Sequence, residues 1–592
     1  MSAREIIDIY ISFFEKRGHK RIPNSPLVPI DDPTTLFTSS GMQPLVPYLL
    51  GEQHPSGTRI VDVQNCFRAV DIDEVGDNRH TTFFRMLGNW SLGDYFKSEE
   101  IPWLWEFLTV GLELPKEKLY ITVFKGYKDI GYDKDTEEIW REVLAKDNVE
   151  PKIFADDTNW WSRSGPPDKM PAGELGGPDT EVYYRFDDVE HTNKCQGDDP
   201  TKCVCGKFLE IANSVFMQYI KTEKGFEPLP KQNVDFGGGL ERLLAAVEDK
   251  SDIFTTSLFL PIIEALESES GKSYKGNENK MRIVIDHLRA SAYLIDSNVL
   301  PSNKERGYIL RRLIRRCLDN LEKGNIENIV EAIVKECSKT DESLNQNFEE
   351  IKNVILEEET KYKTTQKTAK DFIIKKYGGR DDSAQPVREI EAEDAFLLYS
   401  THGLSPTQIK SLGYIFDEQK FANLMEAHSK ISKTASSGMF KGGLADHSEQ
   451  TIKGHTATHL LHQALRDIFG TKLHQTGSNI TSERVRFDFN FDRNLTDEEI
   501  KKVEEIVNGK IKENLPVHFE MIPLNKAKEI GAIGLFDEKY AKDVKVYFIG
   551  DYSKEFCGGP HVNFTGEINR FKIIKQENLG KGQKRIYAKV GE

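Results

Sequence analysis

Long apolar runs are missing from this chain of 592 residues. No stretch approaches the roughly eighteen consecutive apolar residues that a transmembrane helix needs. The first residues, MSAREIIDIYISFFEKRGHK, form an amphipathic pattern with interspersed charges, whereas a signal peptide has a basic segment followed by an apolar one. These absences predict a soluble protein and give no indication of export.

Cysteine is also scarce, with seven cysteines spread over the chain. An odd number at such spacing does not suit a disulfide framework and favours reduced thiols or metal ligands. We therefore expect the protein in the cytoplasm.

A surplus of basic charge is absent too, since 80 Lys and Arg face 95 Asp and Glu and leave a net charge of −15. This sign excludes a protein that coats nucleic acid through charge alone, so any such contact must be local. One helical segment, RGYILRRLIRRCL, offers a basic stripe of Arg311, Arg312, Arg315 and Arg316. The stripe could lie on phosphates, or it could be a solvated face paired with nearby acids.

The length predicts several domains. Residues 1–250 mix short strand-like runs with Gly and Pro turns, which is typical of an α+β domain around an antiparallel sheet. Residues 251–432 repeat apolar residues every three or four positions and predict a helical domain, and in residues 433–592 strands return around helices. The sequence predicts a multidomain α+β protein.

Two pairs of metal-binding residue types lie in the third domain. His455 and His459 share one face of the helical stretch HTATHLLHQALR. Cys557 and His561 lie four apart in CGGPH, on a turn. Zinc takes four such nitrogen and sulfur ligands in a tetrahedron. We predict a zinc site, and the alternative is a set of ordinary core residues that only find hydrogen-bond partners.

A second cluster occurs in EHTNKCQGDDPTKCVCGKF. It contains His191, Cys195, Cys203 and Cys205. These residues could bind a second zinc ion, although Cys-x-Cys is tighter than the usual spacing. A loop of reduced cysteines is the alternative.

The first domain has two segments that suit phosphate binding. Arg68 ends a strand-like run and is followed by a polar loop and a second run. In NVDFGGGLERLLAAV, three glycines precede a helix whose first turn holds Glu241 and Arg242. Glycines allow close approach of a ligand to the backbone, and Arg can hold a phosphate by two hydrogen bonds. Taken alone, GGG is weak evidence and is more typical of an ordinary strand-to-helix turn.

Together, the segment with Arg68, His80 and Phe84 and the GGGLER segment resemble motifs 2 and 3 of class II aminoacyl-tRNA synthetases. Further segments are similar to the alanyl-tRNA synthetases, among them FFEKRGHK, SPLVPIDDPTTLFTSSGMQ, FFRMLGNWSLGDYF, VFMQY, EPLPKQNVDFGGGLER, PSNKERGYILRRLIRR, FKGGLADHSEQT, HTATHLLH and CGGPHV. The resemblance extends from the first helix to about residue 585.

This resemblance implies a ligase that uses ATP and Mg²⁺ to attach L-alanine to tRNA(Ala) through alanyl-adenylate. It implies that residues 1–250 are the catalytic domain, residues 251–432 recognise tRNA and residues 433–592 edit. The implied ATP-binding residues are Arg68 at the α-phosphate, Phe84 and Arg242 around adenine, Glu210 on the magnesium side, Gly237 and Gly239. The implied alanine-binding residues are Asp235 at the ammonium group, Trp161 and Val215 beside the methyl group, and Gly237. For tRNA they are Asn303 and the arginine stripe.

There is a physical reason to expect a second site that removes wrongly attached amino acids. One added hydroxyl or one missing methyl changes binding by only about 1–3 kcal/mol, so a single pocket cannot reject serine and glycine sufficiently. The resemblance implies that the domain with His455, His459, Cys557 and His561 hydrolyses Ser-tRNA(Ala) and Gly-tRNA(Ala) around one zinc ion.

The chain also departs from the pattern of these synthetases. Ile72 replaces a Lys, Arg85 a Glu, Ala212 a Trp, and Ser400 an Asp that helps to recognise the acceptor stem. The chain ends after the editing domain without a further C-terminal module, so the oligomeric state stays open and includes a monomer. Two other functions therefore remain: an editing-only hydrolase, and a non-catalytic RNA-binding protein on a synthetase scaffold.

Overall fold

The computed structural model describes the chain except for residues 30–34, 129, 322, 378–387, 401–403, 405, 412, 427–447, 534–542, 558, 581 and 592. The chain folds into two compact units, Met1–Thr368 and Ala369–Glu592. Within the described ranges, no helix is both long and apolar enough to cross a membrane. Helices and antiparallel sheets occur in both units, which confirms the mixed α+β class.

The first unit contains a nine-stranded sheet. Its strands are β1 (Lys20–Arg21), β2 (Arg59–Phe67), β3 (Phe83–Leu92), β4 (Leu119–Phe124), β5 (Ile153–Asp156), β6 (Trp160–Ser162), β7 (Leu175–Arg185), β8 (Phe208–Thr222) and β9 (Gly225–Gly239). The order is β1-β2-β3-β9-β8-β7-β4-β5, and β6 pairs with β7. The pairs β1/β2 and β4/β5 are parallel and the others are antiparallel.

Helices of the first unit follow the apolar periodicity of the sequence. They are α1 (Ala3–Glu15), α2 (Val46–Leu49), α3 (Lys97–Glu106), α4 (Lys134–Lys146), α5 (Leu240–Val247), α6 (Leu260–Ser270), α7 (Glu278–Asp296), α8 (Glu305–Asn320), α9 (Ile326–Cys337), α10 (Ser343–Gln346) and α11 (Phe348–Tyr377), of which α11 continues past Thr368 into the second unit. Helix α1 begins with a capping box in which Ser2 and Glu5 satisfy each other's backbone N–H groups.

The two faces of the large sheet pack differently. On one face, Tyr10 of α1 and Phe236 of β9 belong to the main core, which continues into α7 and α8. The other face carries a smaller apolar cluster that includes Trp90, Val215 and Met42. Because successive side chains of a strand point to opposite faces, the strands β3, β8 and β9 contribute to both.

The second unit contains three small sheets. Its elements are β10 (Arg388–Glu389), α12 (Ala392–Ser400), α13 (Pro406–Ser411), β11 (Tyr414–Ile415), α14 (Glu449–Phe469), β12 (Gln475–Ile480), β13 (Val485–Asn490), α15 (Asp497–Lys512), β14 (Val517–Pro523), α16 (Leu524–Glu529), β15 (Asp543–Ile549), β16 (Ser553–Phe556), β17 (Phe571–Gly580) and β18 (Gln583–Val590). Antiparallel sheets have the orders β12-β13-β18-β17 and β14-β15-β16, and β10 pairs with β11 in parallel.

Residues on both sides of position 250 lie in the first compact unit. Asp286 of α7 accepts hydrogen bonds from the backbone and hydroxyl of Thr82 at 2.8 and 2.7 Å. Arg289 of α7 donates to Glu241 of α5 at 2.5 Å. These buried contacts tie α7 to the sheet and to α5. The division into catalytic, helical and editing domains stays a prediction about function.

Candidate functional site

The register of the large sheet places several of the implied site residues on one face. Val215 of β8 pairs with Asp235 of β9, which pairs with Trp90 of β3. Two residues along each strand, Asn213 pairs with Gly237, and Gly237 pairs with Gly88. Residues directly opposite each other on antiparallel strands share a face. The two rows therefore lie on the face of the sheet opposite the main core, and we refer to this region as the groove.

Asp235 is the acidic residue of this groove. Its carboxylate is 7% exposed and accepts a hydrogen bond from Trp90 Nε1 at 2.7 Å. Burial raises the pKa of Asp235 to about 7, against the lowering effect of the Trp90 bond. The same apolar cluster includes Val215 and, packed against it, Trp161. The carboxylate would balance the charge of a small cation, and the apolar side chains of Val215 and Trp161 would contact its apolar substituent.

Gly237 leaves room for the side chain of Met86. A Cβ atom built there would lie 3.1 Å from the Met86 sulfur. A side chain at this position would therefore occupy the space beside Asp235 or displace Met86. This supports the implied role of Gly237 without testing it.

The residues that the resemblance implies for ATP binding lie near the junction of β9 and α5. The Arg68 guanidinium lies 4.8 Å from the ring centroid of Phe84 and donates to the Ser39 carbonyl at 3.1 Å. Arg242, in the first turn of α5, donates to a Glu210 carboxylate oxygen at 2.9 Å. Both members of that pair are about one third exposed, at 30% and 35%. The backbone of Gly239, which precedes α5, pairs with Met86 of β3.

Two further acids on β7 were missed by the sequence reasoning. Glu181 pairs with Asn213, and a register shift after Val182 sets Tyr183 opposite Glu210. Burial and then the Glu210 carboxylate raise the pKa of Glu181 to about 7. Burial and then Glu181 raise the pKa of Asp179 well above its ordinary value. The only sequence signal was the occurrence of acidic residues at alternate positions of PDTEVYYRF. That pattern indicates a site only once the pairing of β7 with β8 is known.

The departures in the first unit avoid the groove. Ile72 and Ala212 are buried in the main core. Arg85 lies on the opposite face of β3 from Phe84 and Met86, in contact with Glu241 at 3.7 Å and Asp341 at 3.3 Å. Strand alternation therefore directs the side chains of Arg85 and Ala212 to the core and away from the groove.

The arginine stripe lies on α8 as predicted, and its guanidinium groups are engaged with acids. Arg311 and Arg315 contact the buried carboxylate of Glu358 at 3.2 and 2.8 Å. Arg312 and Arg316 contact Asp73 at 2.7 and 2.6 Å.

Asn303 lies beside the stripe and accepts a hydrogen bond from Arg311. Four arginines share two carboxylates, so positive charge remains in excess. Recognition of tRNA by this surface stays a prediction. The side chain of Ser400, and most of the FKGGLADHSEQT segment, lie outside the described residues.

The predicted zinc ligands come together in the second unit. The donor atoms of His455, His459, Cys557 and His561 all lie within 4.8 Å of one another. Helix α14 supplies the first two residues, and the segment after β16 supplies the others. The distance from Cys557 Sγ to His455 Nε2 is 3.4 Å, near the roughly 3.6 Å edge expected of a tetrahedron with zinc bond lengths.

Contacts outside the cluster fix the tautomer of two imidazoles. His455 Nδ1 lies 2.9 Å from the carbonyl oxygen of Pro560, and His459 Nδ1 lies 2.9 Å from a Glu555 carboxylate oxygen. Because both partners only accept, both Nδ1 atoms carry the proton and leave Nε2 as a lone-pair donor. Partners of this kind orient metal ligands in proteins.

His561 is fixed by a hydroxyl in the same way. Its Nδ1 lies 3.1 Å from Thr456 Oγ1, and that hydroxyl donates to the Ile452 carbonyl at 3.3 Å. Thr456 therefore accepts from His561, whose Nε2 is left for a metal. Sequence reasoning missed Thr456 and Glu555, because it searched for His and Cys residues at the spacing of zinc ligands and neither residue fits that pattern.

The electrostatics agree with a metal site. Burial opposes ionisation of the Cys557 thiol, but hydrogen bonds with His455, His459 and His561 lower its pKa to about 3. Burial lowers the pKa of His561 to about 3 as well, so this imidazole is neutral. Burial opposes protonation of His459, but the Glu555 carboxylate and then the Cys557 sulfur raise its pKa to about 10, so His459 must release a proton to bind zinc. A thiolate and neutral imidazoles are the forms that bind zinc. The four residues fit a zinc ion by donor type, spacing and tautomer.

The second cysteine cluster is also assembled. Donor atoms of His191, Cys195, Cys203 and Cys205 lie within 4.8 Å of one another, between β7 and β8. In the part of the chain that the structure describes, these two clusters are the only groups of this kind.

Comparisons with known proteins place the chain among the aminoacyl-tRNA synthetases. Residues 5–483 match the family model of tRNA synthetases class II (A), and residues 544–587 match the second additional domain of threonyl and alanyl tRNA synthetases. The chain is 42% identical over 615 residues to the alanine–tRNA ligase of Treponema denticola, covering 99% of this chain and 98% of the relative.

Two further alanine–tRNA ligases give the same result. The ligase of Borreliella burgdorferi is 42% identical over 608 residues, covering 99% of both chains. That of Thermotoga maritima is 33% identical over 720 residues, covering 100% of this chain and 80% of the relative.

Proposed function

This chain belongs to the alanine–tRNA ligase family of class II aminoacyl-tRNA synthetases, and on that basis we propose that it attaches L-alanine to tRNA(Ala) with ATP. We further propose that a second site hydrolyses Ser-tRNA(Ala) and Gly-tRNA(Ala). The catalytic domain would comprise residues 1–250, the tRNA-recognition domain residues 251–432 and the editing domain residues 433–592, in the cytoplasm.

The observation that carries the first proposal is the buried carboxylate of Asp235. An ionised carboxylate in this apolar setting is unfavourable without a counter-charge, and the ammonium group of alanine supplies one. The side chains of Val215 and Trp161 then lie where a methyl group fits. A larger amino acid would overlap with these walls.

Activation joins alanine to ATP. A carboxylate oxygen of alanine attacks the α-phosphorus, the bond to the β-phosphate oxygen breaks, and pyrophosphate leaves. Arg68 holds the α-phosphate, and its guanidinium offsets the negative charge that develops there. Phe84 and Arg242 stack on the adenine from both sides.

Magnesium would be held on the acidic side of the groove. Glu210 is the proposed protein ligand, and Glu181 is a further carboxylate that interacts electrostatically with it. The ion would neutralise phosphate charge when bound with ATP. Glu210 already holds Arg242 at 2.9 Å, so this carboxylate also sets the orientation of the guanidinium that faces adenine.

Transfer to tRNA completes the reaction. A hydroxyl of the terminal ribose attacks the carbonyl carbon of the adenylate, and AMP leaves. Asn303 and the excess positive charge of Arg311, Arg312 and Arg315 hold the acceptor stem. Retention of these arginines on one helix supports this assignment.

Editing would occur around the zinc ligands of the second unit. Water attacks the ester carbonyl of mischarged tRNA, and the ribose hydroxyl leaves. Zinc would polarise that ester or hold the 3′ end in place when bound by His455, His459, Cys557 and His561. Glu555 and Thr456 keep the imidazoles in the required tautomers.

Alanine-dependent ATP–pyrophosphate exchange with the purified chain tests the proposal. Robust exchange with alanine, together with slow exchange with serine and glycine, is expected. An editing-only hydrolase would hydrolyse Ser-tRNA(Ala) without exchange, and a non-catalytic RNA-binding protein would do neither. Absence of exchange would refute the ligase.

A further inference from the structure

The loop between β7 and β8 has little to hold it in shape. Its described residues from 187 to 206 are largely exposed, and its one regular element is a short 3-10 turn at Pro200–Lys202. A segment that cannot bury an apolar core of its own usually depends on a disulfide or a metal. The four sulfur and nitrogen donors of this loop converge nevertheless.

The distances between these donors suit one ion. Cys203 Sγ lies 3.8 Å from Cys195 Sγ, 3.2 Å from Cys205 Sγ and 3.7 Å from His191 Nδ1. Zinc–sulfur bonds of about 2.3 Å at tetrahedral angles place two sulfurs about 3.8 Å apart. A disulfide would need about 2.0 Å, and all three cysteines are free thiols.

The surroundings of His191 point to a metal as well. Its Nδ1 faces the sulfurs of Cys203 and Cys205 at 3.7 Å each. Its Nε2 lies 3.0 Å from the Asp198 carboxylate, which accepts a hydrogen bond from Nε2–H and so leaves the Nδ1 lone pair directed at the cluster. A carboxylate on the far nitrogen is the usual outer partner of a histidine that binds zinc.

We propose that His191, Cys195, Cys203 and Cys205 bind a second zinc ion that holds the β7–β8 loop in place. Three cysteines and one histidine close the tetrahedron, and such four-ligand sites are structural. The ion is independent of the editing site and of the ligase proposal, because its ligands belong to neither.

Because of the position of this loop, an ion bound to it would affect the neighbouring strands. The loop joins the strand that carries Glu181 to the strand that carries Glu210. Its base is closed by the Phe186 N–H, which donates to the Lys207 carbonyl at 2.8 Å. At its side, Lys202 contacts the buried Asp156 of β5. A metal-bound loop would thus fix the end of the β7–β8 pair, next to the acids of the groove.

Zinc content per chain tests the proposal directly. Full-length wild type, purified without chelator, should hold about two zinc ions by inductively coupled plasma mass spectrometry, as two four-ligand sites require. Cys203→Ser should hold about one and Cys557→Ala about one, and the double variant none. Cys317→Ala removes a buried thiol outside both clusters and should leave both ions.

A second measurement does not depend on how Cys203→Ser folds. In the Cys557→Ala chain, the loop is the one cluster left intact. Trypsin cleavage after the exposed Lys194 should slow by about tenfold or more when Zn²⁺ is added back after chelation, because cleavage follows the population of the open loop. Zinc content that Cys203→Ser leaves unchanged, or cleavage that does not depend on Zn²⁺, would overturn the second site.

Discussion

Replacing Asp235 with Asn should damage alanine activation and stabilise the fold at the same time. The substitution keeps the shape of the side chain and its acceptor for Trp90, which donates at 2.7 Å, but removes the charge. Losing one partner of a buried ion pair costs about 3–5 kcal/mol. At about 1.4 kcal/mol per tenfold, kcat/KM for alanine should fall by about 100-fold or more.

The gain in stability follows from the pKa of Asp235, which burial raises from 3.8 to about 7. A carboxyl group with a raised folded-state pKa is fully stabilising only below its unfolded pKa, and that stability is lost as the pH rises through about 7. At about 1.36 kcal/mol per pH unit, wild type should lose about 2 kcal/mol relative to Asp235→Asn between pH 5.5 and pH 7. The difference should then stay constant.

Glu100→Gln is the matched control. Glu100 is also fully buried, burial raises its pKa to about 8, and it accepts from Asn89 on the opposite face of the sheet. Denaturant unfolding across pH should show a similar trend for this variant, with kcat/KM for alanine near that of wild type. Near-normal exchange by Asp235→Asn, or equal losses in both variants, would refute the assignment of the ammonium site.

Three other substitutions test the remaining assignments. Arg68→Ala should abolish alanine-dependent exchange and leave Ser-tRNA(Ala) hydrolysis intact, and near-normal exchange would remove Arg68 from the α-phosphate. Asn303→Ala should reduce aminoacylation of tRNA(Ala) much more than adenylate formation, whereas equal losses in the two assays would indicate a damaged fold. Cys557→Ala should stop deacylation of Ser-tRNA(Ala) while exchange survives, and unchanged deacylation would place the hydrolytic site elsewhere.

Local patterns predicted local structure well. The run IENIVEAIVKEC becomes α9, Ile326–Cys337, capped by the side chain of Asn325. LYITVF becomes β4, Leu119–Phe124. Helix α15 begins at Asp497 because Thr496 and Glu499 form a capping box. In each case, the residues that decide the element lie within a few positions of it.

The pairing and register of strands that are distant in the sequence could not be predicted from such local patterns. Glu181 and Glu210 share the groove only because β7 pairs with β8 and the register shifts after Val182. Arg85 lies on the side of the sheet opposite the groove, because successive residues of β3 point to opposite faces. The zinc ligands were an exception, since Cys and His are scarce and their chemistry restricts how they can be combined.

The cysteines of the chain divide by environment in a way that supports two metal sites. Cys66, Cys317 and Cys337 are buried thiols, and burial raises the pKa of each. The other four are partly exposed, and each lies beside at least one imidazole nitrogen or another thiol. A thiol kept near solvent among nitrogen and sulfur donors adds little to packing and is open to oxidation. Metal binding gives all four a common physical reason, and it accounts for an odd number of cysteines without a disulfide.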